Sequence, residues 1–147
     1  MPTQGALRHT VLEARMNKEP GGVRNREIYI IGHALANRIH EMTLRLPKLE
    51  LFEEGSQIRK SSKSVTALLV EGYRLRKYRD NFLFYLWRAL GSADETKEHL
   101  AYLYETGSLK DPLLYAALTA ECEKLLSKLM TFIQGVEAKH TKPFGVS

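Results

Sequence analysis

The stretch DPLLYAALTAECEKLLSKLMTFIQGV, residues 111–136, carries a regular apolar repeat. Its apolar residues recur at intervals of four, four, three, four, four and three positions: Leu114, Leu118, Cys122, Leu125, Leu129, Ile133 and Val136. Intervals of three and four keep side chains on one face of an α-helix, and this repeat is close to the heptad of packed helices. Asp111 is expected to cap the helix, with Pro112 at its first position, where a missing N–H costs nothing. The stretch predicts a long helix that packs along one face.

Two further segments before it have helical spacing. The first is predicted to end at Pro47, which cannot continue a helix. The second is predicted from about Ser56 to Arg76, with the small residues Ser62 and Gly72 on its apolar face. Small residues there would let a neighbouring helix approach closely. The connection 48–55, KLELFEEG, is predicted to lie outside both helices. The apolar faces are Ile28, Ile31, Leu35, Ile39, Met42 and Leu46 in the first helix, and Ile58, Val65 and Leu69 in the second.

Another helix is predicted between Asp80, as its N-cap, and Gly107, as its C-terminal stop. Its apolar residues cover more of the circumference than one core face needs: Phe82, Leu83, Leu86, Trp87, Leu90, Ala93, Leu100 and Leu103. A face this wide indicates a second partner, which is either another subunit or a second helix in a monomeric bundle. No alternation of strand length occurs, so the fold class predicted is all-α, an up-down antiparallel four-helix bundle.

At 147 residues the chain is expected to form one domain. Residues 1–24 lack sustained periodicity and end near the breaker EPGG, so they are predicted to form a loosely ordered N-terminal arm. The bundle is expected over 25–140, followed by a C-terminal tail, 141–147. The single cysteine excludes an intrachain disulfide framework and fits a reducing cytoplasm. No apolar run approaches the ~20 residues that span a bilayer, so no membrane partner is expected.

The chain offers little catalytic chemistry. A carboxylate-bridged metal site in a bundle needs two Glu-x-x-His pairs, and the one such pair here is Glu137 with His140. Glu95 and His99 lie one turn apart, which favours a surface interaction. Cys122 lies on the apolar stripe and is expected to be a buried, inert thiol. No nucleotide-binding glycine motif or zinc spacing occurs. We therefore expect a non-enzymatic protein with no cofactor and no metal.

The charge of the chain is unevenly distributed. The net charge is +5, but residues 1–79 carry 15 Lys/Arg against 8 Asp/Glu, and residues 80–147 carry 7 against 9. A basic half indicates either a polyanionic partner or subunits that pair electrostatically. The residues predicted to bind nucleic acid lie early in the second helix, at Arg59, Lys60 and Lys63, and at its end, at Arg74, Lys77 and Arg79.

The basic run at the end of the second helix has two interpretations. Tyr73 and Tyr78 are interleaved with it and could stack on unpaired bases, as in single-strand binders, or pack at the helix end. Cations near a helix C-terminus are also favoured by the macrodipole, without any ligand. The cations cannot all share one helical face, so one or two are expected to serve the helix terminus or a carboxylate on a neighbouring helix, while the others face solvent.

Several landmarks in the chain resemble a known family. The segments LPKLELFEEGSQIRKSSKSV (46–65), VEGYRLRKY (70–78) and FLFYLWRALGSADETKEHLAYLYETGSL (82–109) are similar to the four-helix-bundle proteins of ribosomal-RNA intervening sequences. The resemblance covers about residues 26–137. The matched positions are Pro47, Glu50, Ser56, Gln57, Arg59, Ser64, Glu71, Gly72, Arg76, Gly91, Ser92 and Glu95. The chain departs from the pattern at Leu68, where the family usually has asparagine, and at 53–55, which is Glu-Glu-Gly instead of Gly-Leu-Thr.

The resemblance implies a protomer that commonly assembles as a homopentamer and has no enzymatic activity. A relative in the superfamily serves diversity-generating retroelements and binds a reverse transcriptase and nucleic acid. RNA, DNA or a protein such as a reverse transcriptase is therefore an expected partner. The alternative is a structural or interaction protein with no nucleic-acid role. The resemblance also implies structural roles for Glu71, Gly72, Arg76 and Gly91, and we expect Glu71 to pair with a cation on a neighbouring helix, such as Arg88.

Overall fold

A computed structural model of the protein describes residues 3–4 and 26–139. Four long helices and one short helix make up the described chain: α1 Glu27–Thr43, α2 Lys48–Phe52, α3 Glu54–Arg74, α4 Arg79–Glu105 and α5 Pro112–Lys139. No strand occurs within these residues. The predicted all-α, antiparallel four-helix bundle is confirmed. The predicted tail and, apart from residues 3–4, the predicted arm lie outside the described residues, as does residue 140.

Two predicted helix ends are confirmed by their hydrogen bonds. The carboxylate of Asp111 accepts the backbone N–H groups of Leu113 and Leu114, both at 3.1 Å, and α5 begins at Pro112. Gly107 has φ of +82°, the left-handed conformation that ends a helix most readily at glycine. Its N–H donates to the carbonyl of Tyr104, which closes the last turn of α4.

Two other predicted boundaries are wrong. The predicted connection 48–55 contains α2 and the start of α3, because the N–H of Leu51 donates to the carbonyl of Pro47 and that of Gln57 to Glu53. Asp80 is not an N-cap. The cap position belongs to Tyr78, and Asp80 lies inside the first turn of α4, where its carboxylate pairs with Arg79 at 3.2 Å.

The four long helices surround one hydrophobic core, and each packs against two of the others. Helices α1 and α4 each pack against α3 and α5. The predicted stripe of α5 is buried from Leu118 onwards, with Leu114 half-buried and Leu118, Cys122, Leu129 and Ile133 fully excluded from solvent. The apolar stripe of α1 lies in the same core, with Ile31 at its edge. No helix in the described part of the chain is long and apolar enough to cross a membrane.

The width of the apolar face of α4 has a largely intramolecular cause. This helix packs against both α3 and α5, and six of its eight predicted apolar residues are buried. Trp87, however, is 46% exposed, and Phe84, one turn before Arg88, is 57% exposed. Tyr102 and Tyr104 near the end of the helix are exposed as well, so α4 carries aromatic surface that the described residues do not cover.

Small side chains govern the contact between α3 and α4. The hydroxyls of Ser61 and Thr96 are 2.9 Å apart in the buried interface, and Ser64 donates to Ser92 at 2.7 Å. At Gly72 a Cβ atom would lie 2.8 Å from the Cβ of Tyr85, closer than real Cβ atoms approach. The two helices can therefore pack this closely because position 72 has no side chain.

We predict that Gly72→Ala lowers the free energy of unfolding by about 1–3 kcal/mol, since the added methyl group must displace a helix at a rigid contact. Gly135→Ala is the matched control. It adds the same methyl group within α5, where a Cβ meets nothing within 4 Å, and it should stabilise the protein by up to about 1 kcal/mol. Urea unfolding at one protein concentration measures both variants. Equal effects of the two substitutions would contradict the close approach.

Candidate nucleic-acid interface

A basic groove lies at one end of the bundle. It is formed by the residue before α1, the C-terminal end of α3, the start of α4 and the last turns of α5, and its volume is about 820 Å³. Five cations line it, and none of the described residues that line it is acidic. The cations are Arg26, Arg74, Arg76, Lys77 and Lys139, and we call these residues with the space between them the basic groove.

Helix ends account for part of this concentration of charge. The C-terminal ends of α3 and α5 both reach the groove, and cations near a helix C-terminus are stabilised by its partial negative charge. Arg76 is such a cation, because its Nη1 donates a hydrogen bond to the carbonyl of Tyr73, near the end of α3, at 3.0 Å. Its guanidinium also lies 4.3 Å from the centre of the Tyr73 ring. Arg74 and Lys139 are exposed and make no ion pair with a described residue.

Aromatic rings form the floor of the groove. The ring centre of Phe82 is 6.2 Å from that of Tyr73 and 6.1 Å from that of Phe132, in both cases edge to face. Tyr73 and Phe82 are buried, whereas Phe132 is half-buried. The guanidinium of Arg26 lies over two of these rings, 5.7 Å from Tyr73 and 6.0 Å from Phe132. The floor is therefore apolar and flat-faced, with cations at its rim.

The structure divides the predicted binding residues into two groups. Arg74 and Lys77 line the basic groove, but Arg59, Lys60, Lys63 and Arg79 do not. Lys60 is exposed in the first half of α3, and Nζ of Lys63 lies 2.9 Å from Nδ1 of His40. Arg79 pairs with Asp80.

The side chain of Arg59, a predicted binding residue, makes contacts within the protomer. Its Nη1 donates to the hydroxyl of Thr43 at 3.0 Å, and its Nη2 donates to the carbonyl of Leu51 at 2.9 Å. The side chain therefore joins the end of α1 to the short helix α2. Arg59 is half-buried, and both terminal nitrogens of its guanidinium are engaged within the protomer.

Arg26, Phe132 and Lys139 line the groove and were not considered in the sequence analysis. Each lies far from the basic run in the sequence and reaches it through the antiparallel packing of the helices. The apolar repeat of α5 did not indicate Phe132, because the repeat passes through the adjacent residue Ile133. The one signal in the sequence was that Arg26, Phe132 and Lys139 all lie at helix ends on the same side of an up-down bundle.

The predicted structural residues have different environments. Gly72 is buried at the contact with α4, whereas a Cβ at Gly91 would meet no described atom within 4 Å, so no contact among the described residues requires a glycine there. Glu71 is exposed and forms no ion pair with a described residue, so the expected pair with Arg88 is not formed. Arg88 is also exposed, and its guanidinium lies 5.5 Å from the centre of the Phe84 ring.

No group of three or more His, Cys, Asp or Glu side chains in the described chain could hold a metal ion. His140, half of the candidate Glu-x-x-His pair, lies outside the described residues. His99 bridges two helices, with Nδ1 2.7 Å from the carboxylate of Glu54 and Nε2 3.5 Å from that of Glu95. This arrangement joins the start of α3 to α4.

Cys122 is fully buried in the core, and burial raises the pKa of its thiol from 9.0 to about 11. A thiol becomes a nucleophile as the thiolate, and here desolvation opposes that ionisation. The side chain therefore belongs to the packing of α5.

These features define a class of protein, an antiparallel helical bundle with one basic end that has an aromatic floor. The chain belongs to the family of 23S rRNA-intervening sequence proteins, whose sequence pattern matches residues 24–131. No sequence among curated proteins matches it significantly. A solved structure, a protein of unknown function from the S23 ribosomal protein family of Bacteroides thetaiotaomicron, is similar with a TM-score of 0.64 and 22% identity.

That similarity covers 73% of this chain and 98% of the Bacteroides chain, and at this identity it concerns the fold alone. Neither the family description nor that of the solved structure names an enzymatic activity.

The buried thiol gives a prediction about reactivity. At pH 8 the native protein should react with a disulfide reagent at least about a hundredfold more slowly than the urea-unfolded chain, because raising the pKa from 9.0 to about 11 reduces the thiolate fraction by that factor. The folded chain holds this proton to higher pH than the unfolded one. The associated stability is therefore complete below pH 9.0 and is lost as the pH rises towards about 11. Labelling of the native protein at the rate of the unfolded chain would show that the core opens at Cys122.

Proposed function

We propose that this protein binds nucleic acid, without catalysing a reaction on it, through the basic groove and the exposed cations beside it. The observation that carries the proposal is the convergence of five cations from three separate parts of the chain on one groove whose described lining contains no carboxylate. A polyanion gains from such a surface by releasing the counterions bound to its phosphates.

The position of Arg26 strengthens this interpretation. Helix ends explain the cations that follow α3 and α5, but Arg26 stands at the N-cap of α1, where the partial charge of the helix is positive. The macrodipole therefore disfavours a cation at this position. The side chain is held instead over the aromatic floor, beside the other cations. A bound anion would offset both the unfavourable macrodipole and the repulsion between Arg26 and the neighbouring cations.

Recognition through this groove would depend mainly on charge and shape. Phosphate contacts fix the position of a nucleic acid but do not read its sequence. Among the residues that line the groove, uncharged polar side chains are few, namely Tyr73 and Thr131. The proposed activity is therefore binding to many sequences with similar affinity.

We also propose that the protein acts as a homo-oligomer, most simply a ring of five protomers. The specific observation is the exposed pair Phe84 and Trp87 on α4, which leaves apolar aromatic surface in water. An assembly would present several copies of the basic groove, and several weak contacts on one strand raise the overall affinity greatly. The second candidate function, an interaction protein that binds another protein, uses the same exposed aromatic surface without the groove.

Salt dependence tests the binding proposal. The double variant Arg74→Ala, Lys77→Ala should weaken binding to RNA and DNA of any sequence and reduce the slope of log affinity against log salt by about 1.4–1.8, since each lost phosphate contact contributes about 0.7–0.9. The control is Lys110→Ala, Lys124→Ala, which removes the same charge from exposed positions outside the groove. Fluorescence anisotropy over a salt series measures both variants.

An equal loss in the control variant would mean that only net charge matters, and the groove would have no special role. Absence of any salt-sensitive binding by the wild-type protein at low ionic strength would overturn the nucleic-acid proposal and favour the interaction protein.

Light scattering tests the assembly. The wild-type protein should have a mass of about five times 16.8 kDa, and Phe84→Glu, Trp87→Glu should reduce it to the 16.8 kDa of a monomer, because charges at a packed apolar interface are not solvated. Leu113→Glu is the control, since this side chain is 81% exposed but lies at the start of α5. Circular dichroism should show the same helix content in all three proteins. A wild-type monomer at micromolar concentration is the opposing result.

A further inference from the structure

The basic groove differs from an ordinary basic surface in having an accessible ring beneath its cations. Phe132 is half-buried in the groove and packs edge to face against the buried Phe82. This fixes the orientation of its ring, since Phe82 is itself held in the core. A ligand that offered phosphates alone would neutralise the rim and leave this ring in contact with water.

We infer that the basic groove takes unpaired nucleotides, with a base stacked at Phe132 beside the Arg26 guanidinium and the phosphates on Arg74, Lys77 and Lys139. The inference rests on the proposed nucleic-acid function and names the form of nucleic acid that the site selects, a single strand instead of a duplex.

Two properties of a single strand match the groove. Its phosphates carry the charge that the rim attracts, and its unstacked bases present flat apolar faces that aromatic side chains bind. In a duplex the same faces are already stacked within the helix, so they cannot reach the floor of a concave site. A duplex is therefore restricted to the cations at the rim.

The existing contacts of Arg26 indicate that the floor accepts a planar group. A guanidinium is flat and delocalised, and this one lies 5.7 and 6.0 Å from two ring centres. Arginine and aromatic side chains both stack on bases in single-strand binding proteins. The volume of about 820 Å³ is at the upper end of the range of about 300–1,000 Å³ for ligand pockets, which leaves room for a base with its sugar and phosphate.

The test compares two probes at about 50 mM salt, where phosphate contacts are strong. One is a labelled oligouridylate of about twelve nucleotides, which is within the range of single-strand site sizes. The other is a G·C-rich RNA duplex of about twelve base pairs with the same label, which stays paired at this salt concentration. We expect the single strand to bind more tightly than the duplex. Phe132→Leu, which removes the ring but keeps an apolar side chain, should weaken single-strand binding about five- to a hundredfold and leave duplex binding unchanged.

Two further variants separate stacking from packing. Phe132→Tyr retains the ring and should keep the single-strand affinity within about twofold of the wild type, since every aromatic face can stack on a base. Leu126→Ala removes a half-buried side chain of α5 that is not part of the groove, and it should lower stability without changing affinity. Thermal unfolding of each variant shows that the binding measurements concern folded protein.

The possible results distinguish failure of the stacking inference from failure of the nucleic-acid proposal. If the duplex binds as tightly as the single strand, or if Phe132→Leu has no effect on single-strand binding while Arg74→Ala, Lys77→Ala weakens it, the protein binds nucleic acid but the stacking inference is wrong. If neither probe binds, both proposals are wrong. If Phe132→Leu converts an oligomer into a 16.8 kDa monomer, the groove is a contact between subunits, and this also overturns the inference.

Discussion

The close packing of α3 against α4 is the constraint on which both the core and the basic groove depend. At Gly72 the helices approach so closely that a methyl group would lie 2.8 Å from the Cβ of Tyr85. Close packing at this level brings the next residue, Tyr73, within 6.2 Å of Phe82, and these two rings begin the floor of the groove. A wider separation would open the core and remove the surface beneath the cations. The glycine therefore positions the site without lining it.

The electrostatics of the groove follow from the topology of an up-down bundle. Because alternate helices run in the same direction, the C-terminal ends of α3 and α5 meet at one end of the molecule, and each attracts cations. Attraction to a helix C-terminus explains the position of Arg76, which donates a hydrogen bond to a terminal carbonyl of α3. It does not explain the position of Arg26, which lies at the N-terminal end of its own helix. The groove thus combines cations that a helix end accounts for with one, Arg26, that it does not.

The sequence predicted the long helices well because their signals are local. Spacings of four and three place Leu118, Cys122 and Ile133 on one buried face of the helix, whichever helix packs against it. Asp111 and Gly107 mark helix ends through hydrogen bonds to residues only a few positions away. The short helix α2 was missed because one turn is too short to show periodicity.

The site was predicted only in part, because its residues come together through tertiary packing. Arg74 and Lys77 were found as members of a basic run, but charge in the sequence does not show where a side chain is directed. Arg59 looks equivalent in the sequence, but it lies outside the groove and makes two hydrogen bonds between helices. Arg26 and Lys139 are 113 positions apart in the sequence and line the same groove. Since helix termini fray more readily than helix centres, a ligand held by both residues would stabilise the start of α1 and the end of α5 together, by an amount that grows with its concentration. Under the proposed function, binding at this end of the bundle would therefore be coupled to the order of the helix ends that form the groove.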